Sequence, residues 1–120
     1  EMALMKTLVA LISTGKGTWG HVGRLISEEW DKIIIVTNDF GREKFNPTKD
    51  VEWIVVNPSM PIENIKNAIR DRLPKDIGDE IYVNLISGSG KEHMALLSLL
   101  KDMGKDYKFI SLTMDGIGYF

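Results

Sequence analysis

Apolar residues fall along this chain in two alternating patterns. Short, nearly unbroken runs rich in β-branched and aromatic residues occur at Lys6–Ser13, Lys32–Thr37, Val51–Val56, Ile81–Ile86 and Lys108–Thr113. Each is bounded by Gly, Asn, Asp or Pro and so reads as a strand, and such runs suit strands covered on both faces. Between them lie stretches with helical spacing. Gly20–Trp30 carries Val22, Leu25 and Ile26 at that spacing. Pro61–Leu73 carries Ile62, Ile65, Ile69 and Leu73, with Pro61 suited to a first turn and Pro74 just past the end. Lys91–Met103 places Met94, Leu97, Leu100 and Met103 on one face, and Gly104 reads as its stop. Asn38–Asp50 reads as a long polar loop.

This order predicts an α/β fold. The expectation is a Rossmann-like, three-layer open sheet, mostly parallel, with five main strands in the order 3-2-1-4-5 and helices on both faces. No helix is predicted between the second and third strands, so the third is expected either antiparallel or parallel through an irregular crossover. In this topology the winding reverses between strands one and four, and ligands bind at the reversal, outside the carboxyl ends of the strands. The loops after the first and fourth strands therefore become neighbours. Both are glycine-rich.

Composition narrows the reading. At 120 residues the chain is expected to form a single domain, 1–120, with one ordinary core. Fifteen Lys and Arg against seventeen Asp and Glu give a net charge of −2, which argues against a surface that coats duplex nucleic acid. With no cysteine, disulfides, thiolate nucleophiles and zinc ribbons are excluded. The apolar run Leu8–Ile12 falls far short of the ~20 residues of a membrane span, so the expected address is the cytoplasm with no membrane partner. Met2 and Met5 both precede Lys6, so the first residues read as an alternative start or an appended segment.

Candidate chemistry gathers in the two loops. The first reads Ser13-Thr14-Gly15-Lys16-Gly17-Thr18-Trp19-Gly20, and its glycines satisfy G-x-G-x-x-G between a strand and a helix. Asp39 follows Gly20 by nineteen residues, where a dinucleotide site places its ribose-binding acid. Helix N-terminal amides there are suited to phosphate oxygens. Trp19 is expected either to stack on a base or to pack, at a dimer contact or over the helix start. The second loop reads Ser87-Gly88-Ser89-Gly90-Lys91-Glu92-His93, again from strand into helix. It is not a Walker A loop: Leu85 stands at the first glycine position and Glu92 at the magnesium-binding hydroxyl position. What remains is an anion cradle beside the Lys91 cation.

Taken together, these elements resemble the CRISPR-associated Rossmann-fold family, the CARF domains. The likeness lies in Leu11-Ile12-Ser13-Thr14-Gly15 and in Asn84-Leu85-Ile86-Ser87-Gly88-Ser89-Gly90-Lys91 followed by Met94-Ala95-Leu96-Leu97, with Ser89-Gly90 where a Gly-Thr pair is more usual. The resemblance implies a homodimer whose paired loops bind a cyclic oligoadenylate, acting as a stand-alone sensor, a ring nuclease or a partner-dependent regulator. It makes Ser13, Thr14 and Lys91 the leading phosphate and ribose contacts, within a ligand-binding set of Ser13–Trp19, Asn38, Asp39, Ser87–Lys91 and His93. Ser13 and Lys91 would be catalytic if the ring is cleaved without metal. The alternative is a compact dinucleotide-binding, NAD-like protein or oxidoreductase subunit.

Two histidines without further ligands at metal spacing give no metal signature, and no cofactor is expected. His93 and His21 are each expected as an acid or base, or as a structural histidine. Asn38-Asp39 and Asn57-Pro58-Ser59 close the second and third strands and share the ligand-facing edge, as pocket wall or as simple turns. Trp30 and Trp53 read as core or interface. The terminal Asp115–Phe120 reads as a surface for a partner subunit or a connection onward.

Overall fold

The computed structural model describes residues 4–120, so Met2 lies outside the described residues. The chain runs β1 (Lys6–Ile12), a 3-10 turn (Lys16–Thr18), α1 (Trp19–Ile26), β2 (Lys32–Thr37), α2 (Asp39–Lys44), β3 (Glu52–Val55), α3 (Ile62–Arg72), β4 (Glu80–Asn84), α4 (Gly90–Asp102), β5 (Lys108–Thr113) and β6 (Gly116–Tyr119). The sheet order is β3-β2-β1-β4-β5-β6, which contains the expected 3-2-1-4-5 with one added edge strand. All neighbours pair in parallel except β5 and β6. β3 is thus parallel to β2.

Strand alternation builds two cores. Val9 and Leu11 of β1, Ile34 and Val36 of β2 and Val83 of β4 face α3 and α4, meeting Ile65, Ile69, Ala95, Leu96 and Leu99. Leu8, Ala10 and Ile12, with Ile33 and Ile35, face α1, meeting Trp19, Val22, Leu25 and Ile26. Both faces of β1 are covered, which is why it reads as a continuous apolar run.

Several expectations need correction. The polar stretch 38–50 contains α2, because the Asn38 side chain caps it by accepting from the Gly41 amide at 2.8 Å, and Phe45 is buried just beyond its end. Six residues are too few to show a helical apolar period. The first helix ends at Ile26 rather than Trp30: Ser27 Oγ turns back to donate to the Arg24 carbonyl at 2.6 Å, and the Trp30 indole donates to the Leu25 carbonyl at 2.8 Å. Pro61 is the N-cap of α3, not its first turn. α4 buries Glu92, Ala95, Leu96, Leu99 and Leu100, so its inward face is rotated from the expected one and leaves Met94 and Met103 exposed. The terminal segment forms β6, which hydrogen-bonds antiparallel to β5 through a two-residue turn at Met114-Asp115. Asp115-Gly116 is a hairpin signal.

Candidate functional site

At the C-terminal edge of the sheet, β1 delivers the chain to α1 on one face and β4 delivers it to α4 on the other. The reversal between them is held by one bond: the Ser13 amide donates to Ser87 Oγ at 2.9 Å. Ser87 is buried, and because its oxygen accepts from Ser13, its own proton stays free to donate. A third loop joins through Asn38, whose Nδ2 donates to Thr14 Oγ1 at 3.1 Å. The structure thus brings together Ser13, Thr14, Asn38 and Ser87, four of the residues singled out in the sequence.

Gly15 and Gly88 both have positive φ, 100° and 94°, which L side chains avoid. At Gly88 space is also short, since a Cβ would lie 3.0 Å from Leu11 Cδ2 and 3.2 Å from His93 Nε2. Gly20 behaves differently. It is exposed, and a Cβ there meets nothing within 4 Å, so it lacks the close helix–strand packing that the third glycine of a dinucleotide fingerprint serves. Asp39 departs from that fingerprint too, because it opens α2 as an exposed first-turn residue.

The two helix N-termini at the reversal differ in what they leave open. At α4, Ser89 is the N-cap, and both its amide and its hydroxyl donate to Glu92 Oε1, at 3.0 and 2.9 Å. This capping box commits the Ser89 donors to an internal carboxylate, a correction to the cradle expected there. The missed signal was Ser89-x-x-Glu92. At α1 the N-cap Thr18 makes no side-chain bond and the first turn holds no acid. Lys16 stands beside it, with Nζ 5.8 Å from the ring centres of both Trp19 and Phe40.

Trp19 packs as the second of its two readings has it. The indole is buried, donates to the Ser13 carbonyl at 2.9 Å, and sits edge-on to Phe45 at 5.7 Å between centroids. Lys91 Nζ donates to the Met60 carbonyl at 3.0 Å, which ties the mouth of α4 to the loop before α3. His93 Nε2 lies 2.8 Å from the Ser87 carbonyl; a carbonyl only accepts, so Nε2 carries the proton. It supports the second loop from beneath. Gly17 and Thr18 lie in the 3-10 turn, where the Thr18 side chain makes no cap bond, and Gly90 opens α4.

His21 joins a network that the sequence did not disclose. Its Nε2 lies 3.2 Å from the Leu112 amide and 3.2 Å from Asn84 Nδ2. Both are donors, since Asn84 Nδ2 also donates to the Ile110 carbonyl at 2.8 Å while Asn84 Oδ1 accepts from the Ile86 amide at 3.2 Å. Nε2 is therefore the acceptor, and burial pushes the His21 pKa below its usual 6.5. The Leu112 amide needs this partner. Phe109 and Phe120 exchange both bonds of their pair, so Leu112, an odd step along, points away from β6. On its other side β4 has already ended at Asn84.

Beside the loops, at the ends of β2 and β3, a hollow of about 420 Å³ is lined by Asn38, Asp39, Phe40, Val56, Asn57 and Pro58. Depressions of about 210 and 490 Å³ open at the opposite edge, around Glu80, away from the reversal. Among the described residues there is no cluster of three or more His, Cys, Asp or Glu that could hold a metal, and no helix long and apolar enough to cross a membrane.

Known structures share this architecture. Can2 from Sulfobacillus thermosulfidooxidans, in complex with cyclic tetra-adenylate (cA4), superimposes with a TM-score of 0.58 at 16% identity, covering 95% of this chain and 34% of that one. The protein VC1899 from Vibrio cholerae superimposes with a TM-score of 0.54 at 12% identity, covering 95% of this chain and 33% of that one. The chain spans about a third of the length of each. No protein-family model matches it, and no curated protein is similar to it in sequence. At these identities the likeness shows the fold alone, a Rossmann-like, mostly parallel α/β sheet.

Proposed function

We propose that this chain is a regulatory domain that binds a cyclic oligoadenylate at the β1 and β4 loops of a homodimer. The observation that carries the reading is the Ser13–Ser87 bond, which joins the two loops at the reversal of a fold shared with Can2, itself held with cA4. A ring of identical nucleotides suits a site made twice from one patch, which a two-fold interface supplies. The N-terminus of α1, where the Trp19 amide is spent on the Lys16 carbonyl but no side chain caps the turn, acts with Lys16, the Ser13 and Thr14 hydroxyls and the free Ser87 proton as the phosphate donors. Gly15, Gly17, Thr18, Gly88 and Gly90 let the backbone approach. Lys91, whose Nζ is bonded to the Met60 carbonyl, adds charge at the rim as a binding residue. Exposed Ile86 and Met94 on the β4 side offer apolar surface to the second subunit.

Calorimetry with cyclic tri-, tetra- and hexa-adenylate tests this, with light scattering on the same samples. At least one ring is expected to bind, at one ring per two chains. Binding of none, or preference for NAD, overturns the reading.

A further inference from the structure

Asn84 and His21 form a node that joins the loop after β4 to the β5–β6 hairpin. Asn84 is the last residue of β4 and only 2% exposed. Its Oδ1 accepts from the Ile86 amide at 3.2 Å, at the head of the loop that carries Ser87. Its Nδ2 donates to the Ile110 carbonyl of β5 at 2.8 Å and to His21 Nε2 at 3.2 Å. The opposite orientation of this amide would set Oδ1 against the Ile110 carbonyl and Nδ2 against the Ile86 N–H, so its neighbours fix it. His21, from the first turn of α1, completes the node by accepting from the Leu112 amide at 3.2 Å.

The node is satisfied only while Nε2 is unprotonated. A proton there brings three donors together: Nε2–H, the Leu112 amide and Asn84 Nδ2. Facing His21 from β4 and β5 are Asn84, Ser111 and Leu112, all uncharged, with Ser111 Oγ at 3.4 Å. On its own helix Arg24 pairs with Glu28 at 2.7 Å, and Lys16 before the helix lies at the Trp19 and Phe40 rings. His93 of α4 is bonded to the Ser87 carbonyl, and Asp115 at the hairpin turn is exposed. Among the described residues His21 takes part in no ion pair. A charged donor forms hydrogen bonds roughly twice as strong as a neutral one, so an imidazolium draws Oδ1 toward itself by turning the Asn84 amide. That turn takes Oδ1 away from Ile86.

We infer that Asn84 is a positioning residue for the β4 loop and that His21 sets its orientation, so that one proton on Nε2 frees the Ile86 amide in the loop and the Leu112 amide in the hairpin together. Ser87 follows Ile86 and receives the Ser13 amide, so the loosening reaches the reversal itself. Burial holds the His21 pKa below its usual 6.5, which keeps the node closed at neutral pH. Calling the β4 loop a binding loop rests on the reading above; the coupling of Asn84, His21 and Ile86 does not.

NMR of the ligand-free chain from pH 5 to 8 tests the coupling. The Ile86 and Leu112 amide signals are expected to titrate with the His21 ring at one midpoint below 6.5, and both amides to lose hydrogen-exchange protection as pH falls through it. In His21→Gln, whose carbonyl accepts from the same donors without titrating, both changes are expected to vanish. In His93→Gln both are expected to remain. A His21 with only a structural role would move Leu112 and leave Ile86 in place; that result overturns the inference, as does an Ile86 titration that survives in His21→Gln. A second arm measures cyclic tetra-adenylate binding by calorimetry at pH 7.5 and 5.5. The native chain is expected to bind about 3- to 10-fold more weakly at the lower pH, and His21→Gln equally at both. The same pH dependence in the two chains overturns the positioning role. If Ile86 titrates with His21 and no ring binds at either pH, the node stands and the regulatory reading falls. If the ring binds and Ile86 does not titrate, the node falls and that reading stands.

Discussion

Replacing His21 by Gln separates hydrogen bonding from charge. In the native chain Nε2 accepts from the Leu112 amide and from Asn84 Nδ2. A Gln carbonyl can accept the same two bonds but cannot titrate. Truncation to Ala would leave both donors unpaired, at about 1–3 kcal/mol each when fully buried. His21 is only partly buried, so water reaches the vacated space and about 1–2 kcal/mol in total is expected for Ala, with less for Gln. The pH dependence follows from the depressed pKa. Because the unfolded histidine binds a proton more readily than the folded one, the His21 contribution is fully present above about pH 6.5 and declines as pH falls below that value. Urea unfolding of native chain and Gln variant from pH 5 to 8 is the assay, since the difference cancels His93 and the carboxylates. That difference is expected to be constant above pH 7 and to move against the native chain below pH 6.5. A difference identical at pH 5 and pH 8 would refute the assignment of Nε2 as acceptor.

Ser87→Ala removes the oxygen that receives the Ser13 amide and is expected to lower stability by about 1–2 kcal/mol, read in chemical unfolding, and to weaken ring binding by more than tenfold in calorimetry. Lys91→Ala loses an exposed bond to the Met60 carbonyl, so stability should change by less than about 0.5 kcal/mol while ring affinity falls about tenfold. Unchanged affinity would remove Lys91 from the site. Leu96→Ala, in the core between α4 and the sheet, is expected to cost about 2–5 kcal/mol in thermal or urea unfolding.

The sheet was legible because each β-rich run is covered on both faces, which leaves an apolar signature that helices with a single buried stripe do not imitate. Strand order followed from connection rules rather than from any residue. α2 was hidden because its evidence is one capping side chain, Asn38, whose role as cap is indistinguishable in sequence from a turn. The α4 face was misread because Met94 and Met103 share spacing with Leu97 and Leu100, while burial favours the Ala95–Leu96–Leu99–Leu100 stripe. At the site, the adjacency of the two loops was readable from topology. The division of labour within them was not: that Glu92 closes α4, that Trp19 is buried and that His21 serves the edge of β5 depend on distances between segments far apart in the chain.

The central position of β1 sets a schedule for the nascent chain. One of its edges finds β2 early, with Thr7 opposite Lys32. The other edge pairs with β4, Thr7 opposite Ile81, and cannot close until that much later segment has left the ribosome. At about 5–20 residues per second, the 74 positions between Ser13 and Ser87 amount to about 4–15 s during which a strand apolar from Leu8 to Ile12 has a bare edge. An unpaired edge of that kind recruits other strands, including those of neighbouring copies. Slowing translation across residues 32–80 by synonymous codon choice would lengthen the interval and should raise the insoluble fraction, whereas faster delivery of β4 should lower it.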